Sequence, residues 1–200
     1  DGFGYGSDGN AWGGEILYCN QDGFKRLGHL QEQPIVGGDL ATLYPLRMAA
    51  GILHGEANVE EWLLSNTNRF PHGRSEIEII LKQLGKRSAP KTTSCGRVLD
   101  AVSAILGICY ERTYEGEPAM KLESVALKGK DVLNLAPRLD GNVVDTTLLV
   151  HEIFNQRGRY PVAGLACSVQ SYIARSLAEF AGEEAERRKV DVSGLCGGVA

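Results

Sequence analysis

The opening fifteen residues, D-G-F-G-Y-G-S-D-G-N-A-W-G-G-E, constrain this chain more than any other stretch. Gly2, Gly4 and Gly6 stand at alternate positions, a spacing that neither a packed core nor a solvated surface explains. Glycine loses more backbone entropy on folding than any other residue, and it contributes no packing. Clusters of it are kept where the backbone takes positive φ or lies directly against something. Asp1 precedes the glycines, and Asp8-Gly9 adds a second acid–glycine pair. Bare amides beside carboxylates suit a site where phosphate rests on the N–H groups and a metal on the acid. A glycine-rich hairpin tip with exposed acids accounts for the same residues, because Gly-Asp turns are common.

Two hundred residues are enough for a sizeable core, in one large domain or two small lobes. With 43% hydrophobic and 23% charged residues, the composition is that of an ordinary soluble globular protein. A net charge of −4 with dispersed basic residues points away from nucleic acid and from anionic membranes. No apolar run approaches the ~20 residues that cross a bilayer, and no signal peptide is visible. The chain begins inside a motif and reads as a fragment. Its five cysteines (Cys19, Cys95, Cys109, Cys167, Cys196) are an odd number, widely spaced and without a C-x-x-C pair. That argues against a zinc knuckle or a disulfide framework and fits reduced thiols in the cytoplasm. No H-x-x-x-H pair occurs.

Residues 16–19 and 24–30 read as strands around Asp22-Gly23, in a hairpin whose loop exceeds two residues. A second glycine-rich turn follows at Gln33-Pro34-Ile35-Val36-Gly37-Gly38-Asp39. Helical spacing then begins, with Leu46, Ala49, Ile52 and Leu53 on one face. Arg47 in that helix reads first as structural and second as an anion contact. Asn58 and Ser75 resemble N-caps with an acid at N3, the second opening a helix with Ile77, Ile80, Leu81 and Leu84 inward and Gly85 as its stop. His54 and His72 read as surface or cap residues, and residues 46–85 as a helical cover without chemistry.

Thr92-Thr93-Ser94-Cys95-Gly96-Arg97 leads into a helix with Val98, Val102, Ile105 and Leu106 on one face. A helix start entered through Ser and Gly can receive an anion, and a well-capped helix explains the same residues. Asp100 reads as a first-turn acid favoured by the helix dipole, whose loss leaves the fold intact. Tyr114-Glu115-Gly116-Glu117-Pro118 opens another helix with Pro118 at N1 and Met120, Val125 and Leu127 in the core. Residues 132–135 and 143–144 suggest a hairpin around Asp140-Gly141, and Asp145 caps a helix carrying Leu148, Leu149, Ile153 and Phe154. A long helix over 166–188 turns Val169, Ile173, Leu177 and Phe180 inward and ends in a solvated run of Glu183, Glu184, Arg187 and Arg188. Residues 189–193 read as a strand entering the glycine run that contains Gly197-Gly198, whose amides could lie along phosphate.

The opening run resembles the phosphate-loop hairpin of the Kae-type carbamoyltransferase domain in the hydrogenase-maturation HypF family, where D-G-x-G-Y-G-x-D-G leads to W-G-G-E. Four further runs resemble that family in order. Pro45-Leu46-Arg47-Met48-Ala49 keeps a P-W-R-M-A frame with Leu for Trp. Thr92 to Val102 is similar to T-S-S-x-G-R-x-F-D-A-V, with Leu99 for Phe. Tyr114 to Met120 is similar to Y-E-G-x-A-A-M, followed by Lys121 where a carboxylate is usual. Gly197-Gly198 resembles an S-G-G-V loop, expanded here by Leu195 and Cys196.

The resemblance implies an α/β fold of the actin/hexokinase type, two-lobed and incomplete at both ends, with nucleotide in the cleft. The regions would be a phosphate-loop hairpin at 1–45, a helical segment at 46–90, and a nucleoside-binding lobe with the second glycine loop at 91–200. It implies Asp1 and Asp8 as catalytic acids and Asp1 as ligand to a divalent metal (zinc, iron or magnesium), together with histidines absent from this chain. ATP or carbamoyl-adenylate would lie against Gly2, Gly4, Gly6, Gly96, Asp100, Gly116, Gly197 and Gly198, with the ribose hydroxyls on Asp100. The reaction implied is carbamoyl transfer from carbamoyl-adenylate to the C-terminal cysteine of HypE. The acceptor is expected on that partner and not among this chain's five cysteines. Cys95 and Cys196, beside the glycine runs, read as small apolar fillers, with Cys95, at a helix start, the one that could gain acidity and act as a relay. Two other readings share the motifs: an O-carbamoyl or threonylcarbamoyl transferase with another acceptor, and a nucleotide-binding scaffold without turnover.

Overall fold

The computed structural model describes residues 4–86 and 88–198, so Asp1 and Gly2 lie outside the described residues. Strands β1 (Gly4–Tyr5), β2 (Ala11–Trp12), β3 (Glu15–Asn20), β4 (Gly23–Leu30), β5 (Gln33–Pro34), β6 (Lys91–Thr92), β7 (Leu139–Asp140) and β8 (Val143–Val144) form two mixed four-stranded sheets. One runs β1-β2-β6-β5 and the other β3-β4-β8-β7. Each has a parallel central pair, β2·β6 or β4·β8, flanked by antiparallel ones. The parallel pairs join distant sequence: Ala11 stands opposite Thr92, and Leu30 opposite Val144.

The β3–β4 turn is tighter than expected. Asn20 pairs with Gly23, leaving only Gln21 and Asp22 in the loop. Asn20 Oδ1 accepts the Asp22 N–H at 2.9 Å, and Gly23 takes φ +138°, so side-chain bonding and a glycine carry the strands further than their apolar residues do.

The helices are α1 (Leu40–Leu43), α2 (Leu46–Ile52), α3 (Val59–Ser65), α4 (Gly73–Gly85), α5 (Cys95–Ile105), α6 (Glu117–Ala126), α7 (Thr146–Gln156) and α8 (Val162–Arg188), with a 3₁₀ turn at Thr67–Arg69. A helix covered on every side belongs at the centre of a core. Every residue of α2 and of α5 is buried. α5 packs against α2, α6 and α7, and α6 against α8. One continuous apolar cluster runs from Ala11 to Ile173. Residues 46–85 therefore share the core instead of covering it. Ser94 caps α5 by accepting the Arg97 N–H at 3.4 Å, and Asp145 caps α7 by accepting that of Leu148 at 2.8 Å.

Other expectations change. Asn58 precedes α3 in the left-handed region at φ +63° and forms no side-chain cap. α4 begins two residues before Ser75, after His72, whose N–H donates to Glu76 Oε2 at 2.9 Å. The other Glu76 oxygen meets Arg47 Nη2 at 2.7 Å with both side chains buried, so Arg47 is the structural tie between α2 and α4. Met120 and Leu127 are 56% and 81% exposed, because α6 turns Leu122 and Ala126 inward instead. Residues 132–135 are not a strand: Asp131 and Ser168 take the Val132, Leu133 and Asn134 amides and strap this loop to α8. Residues 189–193 are irregular, with no strand partner among the described residues.

Candidate functional site

The glycine-rich hairpin is held from within and from outside. β1 pairs with β2, and Gly6 N–H donates to Asn10 O at 2.8 Å. A Cβ at Gly6 would overlap the Trp12 indole. Here the glycine answers to close approach by a ring. Gly4 has open space around it, and neighbouring Tyr5 is 90% exposed.

Asp8 Oδ1 accepts from Asn10 N–H at 3.0 Å and from Trp12 Nε1 at 2.9 Å, and Oδ2 accepts from Arg26 Nη1 at 3.0 Å. The Asn10 amide, then Trp12 and Arg26, hold its carboxyl below the ordinary range against the opposing effect of burial. Both oxygens of Asp8 are thus engaged, Oδ1 by the loop itself and Oδ2 by Arg26 of β4.

Glu15 closes the motif. Its Oε2 accepts the Gly13 and Gly14 amides at 2.6 and 2.8 Å, while Oε1 meets Arg26 Nη2 at 2.9 Å and the Thr93 hydroxyl. Backbone bonds bind this turn to the entry of α5. Thr93 N–H donates to Ala11 O at 3.0 Å, and Cys95 N–H to Gly13 O at 3.1 Å. A Cβ on Gly14 would overlap the Thr93 carbonyl. Two runs some eighty residues apart in sequence, Gly13-Gly14 and Thr93-Ser94-Cys95, thus lie directly on one another, linked by backbone bonds.

Along α5, Gly96 is buried in the first turn, whereas Asp100 lies in the second and its side chain is only 1% exposed. Asp100 Oδ2 is 2.8 Å from Arg97 Nη2. Among the described residues neither Asp100 oxygen finds a well-formed hydrogen bond, and Arg97 Nε and Nη1 find none either. Burial pushes the Asp100 carboxyl up to about 6, with Arg97 and Arg112 opposing. Burial also lowers Arg97 against the pull of Asp100. Both directions say that desolvation outweighs pairing here. Asp100 is therefore half of a sealed ion pair, and the expectation of a dispensable first-turn acid fails.

Gly116 precedes α6 at φ +76°, in the left-handed region that glycine tolerates. Glu117 Oε2 accepts the Thr113 amide at 2.6 Å and its hydroxyl at 2.8 Å, and Oε1 pairs with Lys121 at 2.6 Å. Lys121 thus has a local partner at the position where a carboxylate was expected. Gly197, at φ +103°, and Gly198 are exposed, with no hydrogen bond to the hairpin among the described residues. Cys95 is not acidic. Burial, reinforced by Asp100, pushes its thiol up to about 12. Among the described residues no group of three or more His, Cys, Asp or Glu could hold a metal, and Asp1, the implied ligand, lies outside the described residues.

A family model described as "Carbamoyltransferase, Kae1-like Domain, second subdomain" matches residues 1–200. This chain belongs to that family. It is 42% identical over its whole length to the probable carbamoyltransferase HypF of Methanocaldococcus jannaschii, covering 26% of that protein. It is 43% identical over 63% of its length to carbamoyltransferase HypF2 of Cupriavidus necator, covering 15% of it. The crystal structure of T. kodakarensis HypF matches the entire chain at TM-score 0.85 and 39% identity, with 27% of that structure covered. A full-length HypF in its phosphate- and nucleotide-bound form matches 96% of the chain at TM-score 0.80 and 26% identity, with 30% covered. The chain spans about a quarter of the length of the M. jannaschii and T. kodakarensis proteins.

Within this carbamoyltransferase family frame, the hairpin and the α5 entry are the predicted parts that the fold brings together. Arg26, Glu15 and Arg97 carry no role in the sequence reading. Glu15 ends the W-G-G-E run and Arg97 sits inside the G-R pair, so both had a signal. Arg26 had none, because an arginine in an alternating strand reads as solvent-facing.

Proposed function

We propose that this chain is the part of a HypF-type carbamoyltransferase that holds phosphate and nucleoside during carbamoyl transfer. The observation that carries the reading is the joining of the glycine-rich hairpin to the start of α5 through Ala11, Gly13, Thr93 and Cys95. Such an arrangement sets the hairpin beside a helix N-terminus, where an anion could bind. The Gly13, Gly14, Thr93 and Cys95 amides are themselves taken up by Glu15, Ala11 and Gly13 and fix the two segments together. The phosphate- and nucleotide-bound form of a full-length relative supports the same ligand class. The fold would be the two-lobed actin/hexokinase type, in a cytoplasmic enzyme.

Gly4, Gly6 and Gly96 would lie along the phosphates and Gly116 beside the nucleoside, with Gly2 and Gly197-Gly198 completing the enclosure. Asp1 and Asp8 would be the acids nearest the reacting phosphate, Asp8 acting chiefly by shaping the loop. Asp100 would take the ribose hydroxyls after a local opening, since its carboxylate is sealed. Carbamoyl-adenylate, formed elsewhere in the longer protein, would pass its carbamoyl group to the C-terminal thiolate of HypE while amides stabilise the departing AMP. No step is assigned to a metal.

The test uses the full-length protein with carbamoyl phosphate, ATP and HypE, read by mass spectrometry. The expected result is a carbamoyl adduct on the HypE tail. The Asp100→Ala variant should lose about 1–3 kcal/mol of nucleotide affinity, the cost of leaving bonded hydroxyls unpaired. ATP turnover without any adduct, or an adduct on a sugar or tRNA in place of HypE, would overturn the assignment.

A further inference from the structure

The glycine-rich hairpin has little packing to hold it: Tyr5 is 90% exposed, and Gly4 and Gly9 have open space where a side chain would be. One side chain from the other sheet reaches into it. Arg26, on β4, places Nη1 3.0 Å from Asp8 Oδ2, Nη2 2.9 Å from Glu15 Oε1 and 3.4 Å from the Thr93 hydroxyl, and its Cζ 4.3 Å from the centre of the Trp12 ring. The guanidinium is mostly covered, and its Nε has no partner among the described residues. Asp8 anchors the loop through Asn10 and Trp12, Glu15 anchors the Gly13-Gly14 amides, and Thr93 begins the entry to α5. The hairpin and the entry to α5 therefore converge on one planar cation.

We propose that Arg26 is the positioning residue of this site: its fork sets the spacing between the hairpin amides and the start of α5. The inference rests on the phosphate-holding reading above. Arginine is required by the geometry, since a planar fork reaches two carboxylates while stacking on an indole. A lysine ammonium is a point charge on a flexible stem and cannot do both. Without the fork, Asp8 and Glu15 face each other across the loop with only Trp12 and the amides between them. The hairpin then departs from its register, and misplacement of about 1 Å can cost about 100-fold in rate.

The experiment compares wild type, Arg26→Ala and Arg26→Lys in the full-length protein by two independent readouts. The first is hydrogen exchange. In both variants the Gly6, Gly13, Gly14 and Thr93 amides should exchange at least about tenfold faster, while α5 amides beyond Val98 keep their protection, as local opening requires. The second is ATP-dependent carbamoyl transfer. kcat/KM should fall about 10- to 100-fold in both variants, and millimolar methylguanidinium should restore much of it to Arg26→Ala. A lysine variant with wild-type exchange and wild-type kcat/KM would overturn the proposal. So would a loss of activity that follows global unfolding alone and is not rescued. If wild type itself shows no transfer, the functional reading fails while hydrogen exchange still decides whether Arg26 positions the loop.

Discussion

The Arg97–Asp100 pair offers the sharpest test of how this fold is balanced. Two charges lie inside α5 with one contact at 2.8 Å and four polar atoms that lack a well-formed hydrogen bond among the described residues. Replacing Asp100 by alanine strands a guanidinium that cannot deprotonate, and breaking a buried pair in this way costs about 3–5 kcal/mol. Replacing Arg97 by methionine should be milder, because Asp100, already pushed up to about 6 against the pull of Arg97, rises further when Arg97 is lost and takes a proton more readily at neutral pH. The double variant Arg97→Met, Asp100→Ala removes both charges. It should recover most of the Asp100→Ala loss, since apolar replacement of a buried pair is often neutral or stabilising.

Hydrogen exchange of α5 amides in the full-length protein reads these differences directly. At about 1.4 kcal/mol per tenfold, Asp100→Ala should exchange about 10²- to 10⁴-fold faster than wild type. The sign of the pH dependence follows from the raised carboxyl. Its folded value, about 6, exceeds the unfolded 3.8, so folding favours the protonated form. Stability from this group is fully present below about 4 and is lost as pH rises through about 6, amounting to about 3 kcal/mol. Wild-type α5 protection, corrected for intrinsic rates, should therefore be greater at pH 5 than at pH 7, and the double variant should lose that difference. A double variant as labile as Asp100→Ala would refute the reasoning, because the cost would then not come from the stranded charge.

Two further outcomes follow. Cys95, buried and pushed up to about 12, should resist iodoacetamide at pH 8 until the protein unfolds, whereas exposed Cys19 and Cys196 label first; peptide mass spectrometry checks this, and early labelling of Cys95 would revive a covalent relay. Glu117, held down to about 2 by Lys121 and by the Thr113 amide and hydroxyl, contributes stability that is present above its unfolded 4.5 and lost as pH falls through about 2. The Thr113 amide should therefore stay protected at pH 4 in wild type and lose protection at any pH in Glu117→Gln, as NMR exchange would show.

The parts legible in sequence were those fixed by local chemistry. Asp145 caps α7, Ser94 caps α5, and α8 turns Val169, Ile173 and Phe180 inward, because capping and helical periodicity act within a few residues. The failures were decided by what another segment supplies. Met120 on α6 and Leu127 just after it are exposed while Leu122 and Ala126 are buried, and nothing in their own spacing says which apolar stripe finds a partner. Residues 189–193 have strand composition but no strand beside them among the described residues. At the site, the glycine motif was readable, yet the residues that hold it were not. Arg26 reaches across from a second sheet, and Asp100 became half of an ion pair only when α5 took the centre of the core.

That central placement couples chemistry to stability in this domain. α5 is buried along its whole length, and it also carries Gly96, Arg97, Asp100 and Ser103, whose hydroxyl has no partner among the described residues, in the core. A helix serving packing alone would fill those positions with alanine or leucine, which bury area without desolvating a charge. The start of the same helix forms the floor beneath the hairpin, through the Cys95 and Thr93 amides. In the proposed reading, the anion would meet that end of α5 while core contacts fill the rest of the same helix. Displacing α5 to relieve the buried pair would then also move the proposed anion site, so the packing around α5 holds its polar atoms in place. Substitutions that make α5 more apolar should therefore raise the stability of the domain while loosening its grip on nucleotide.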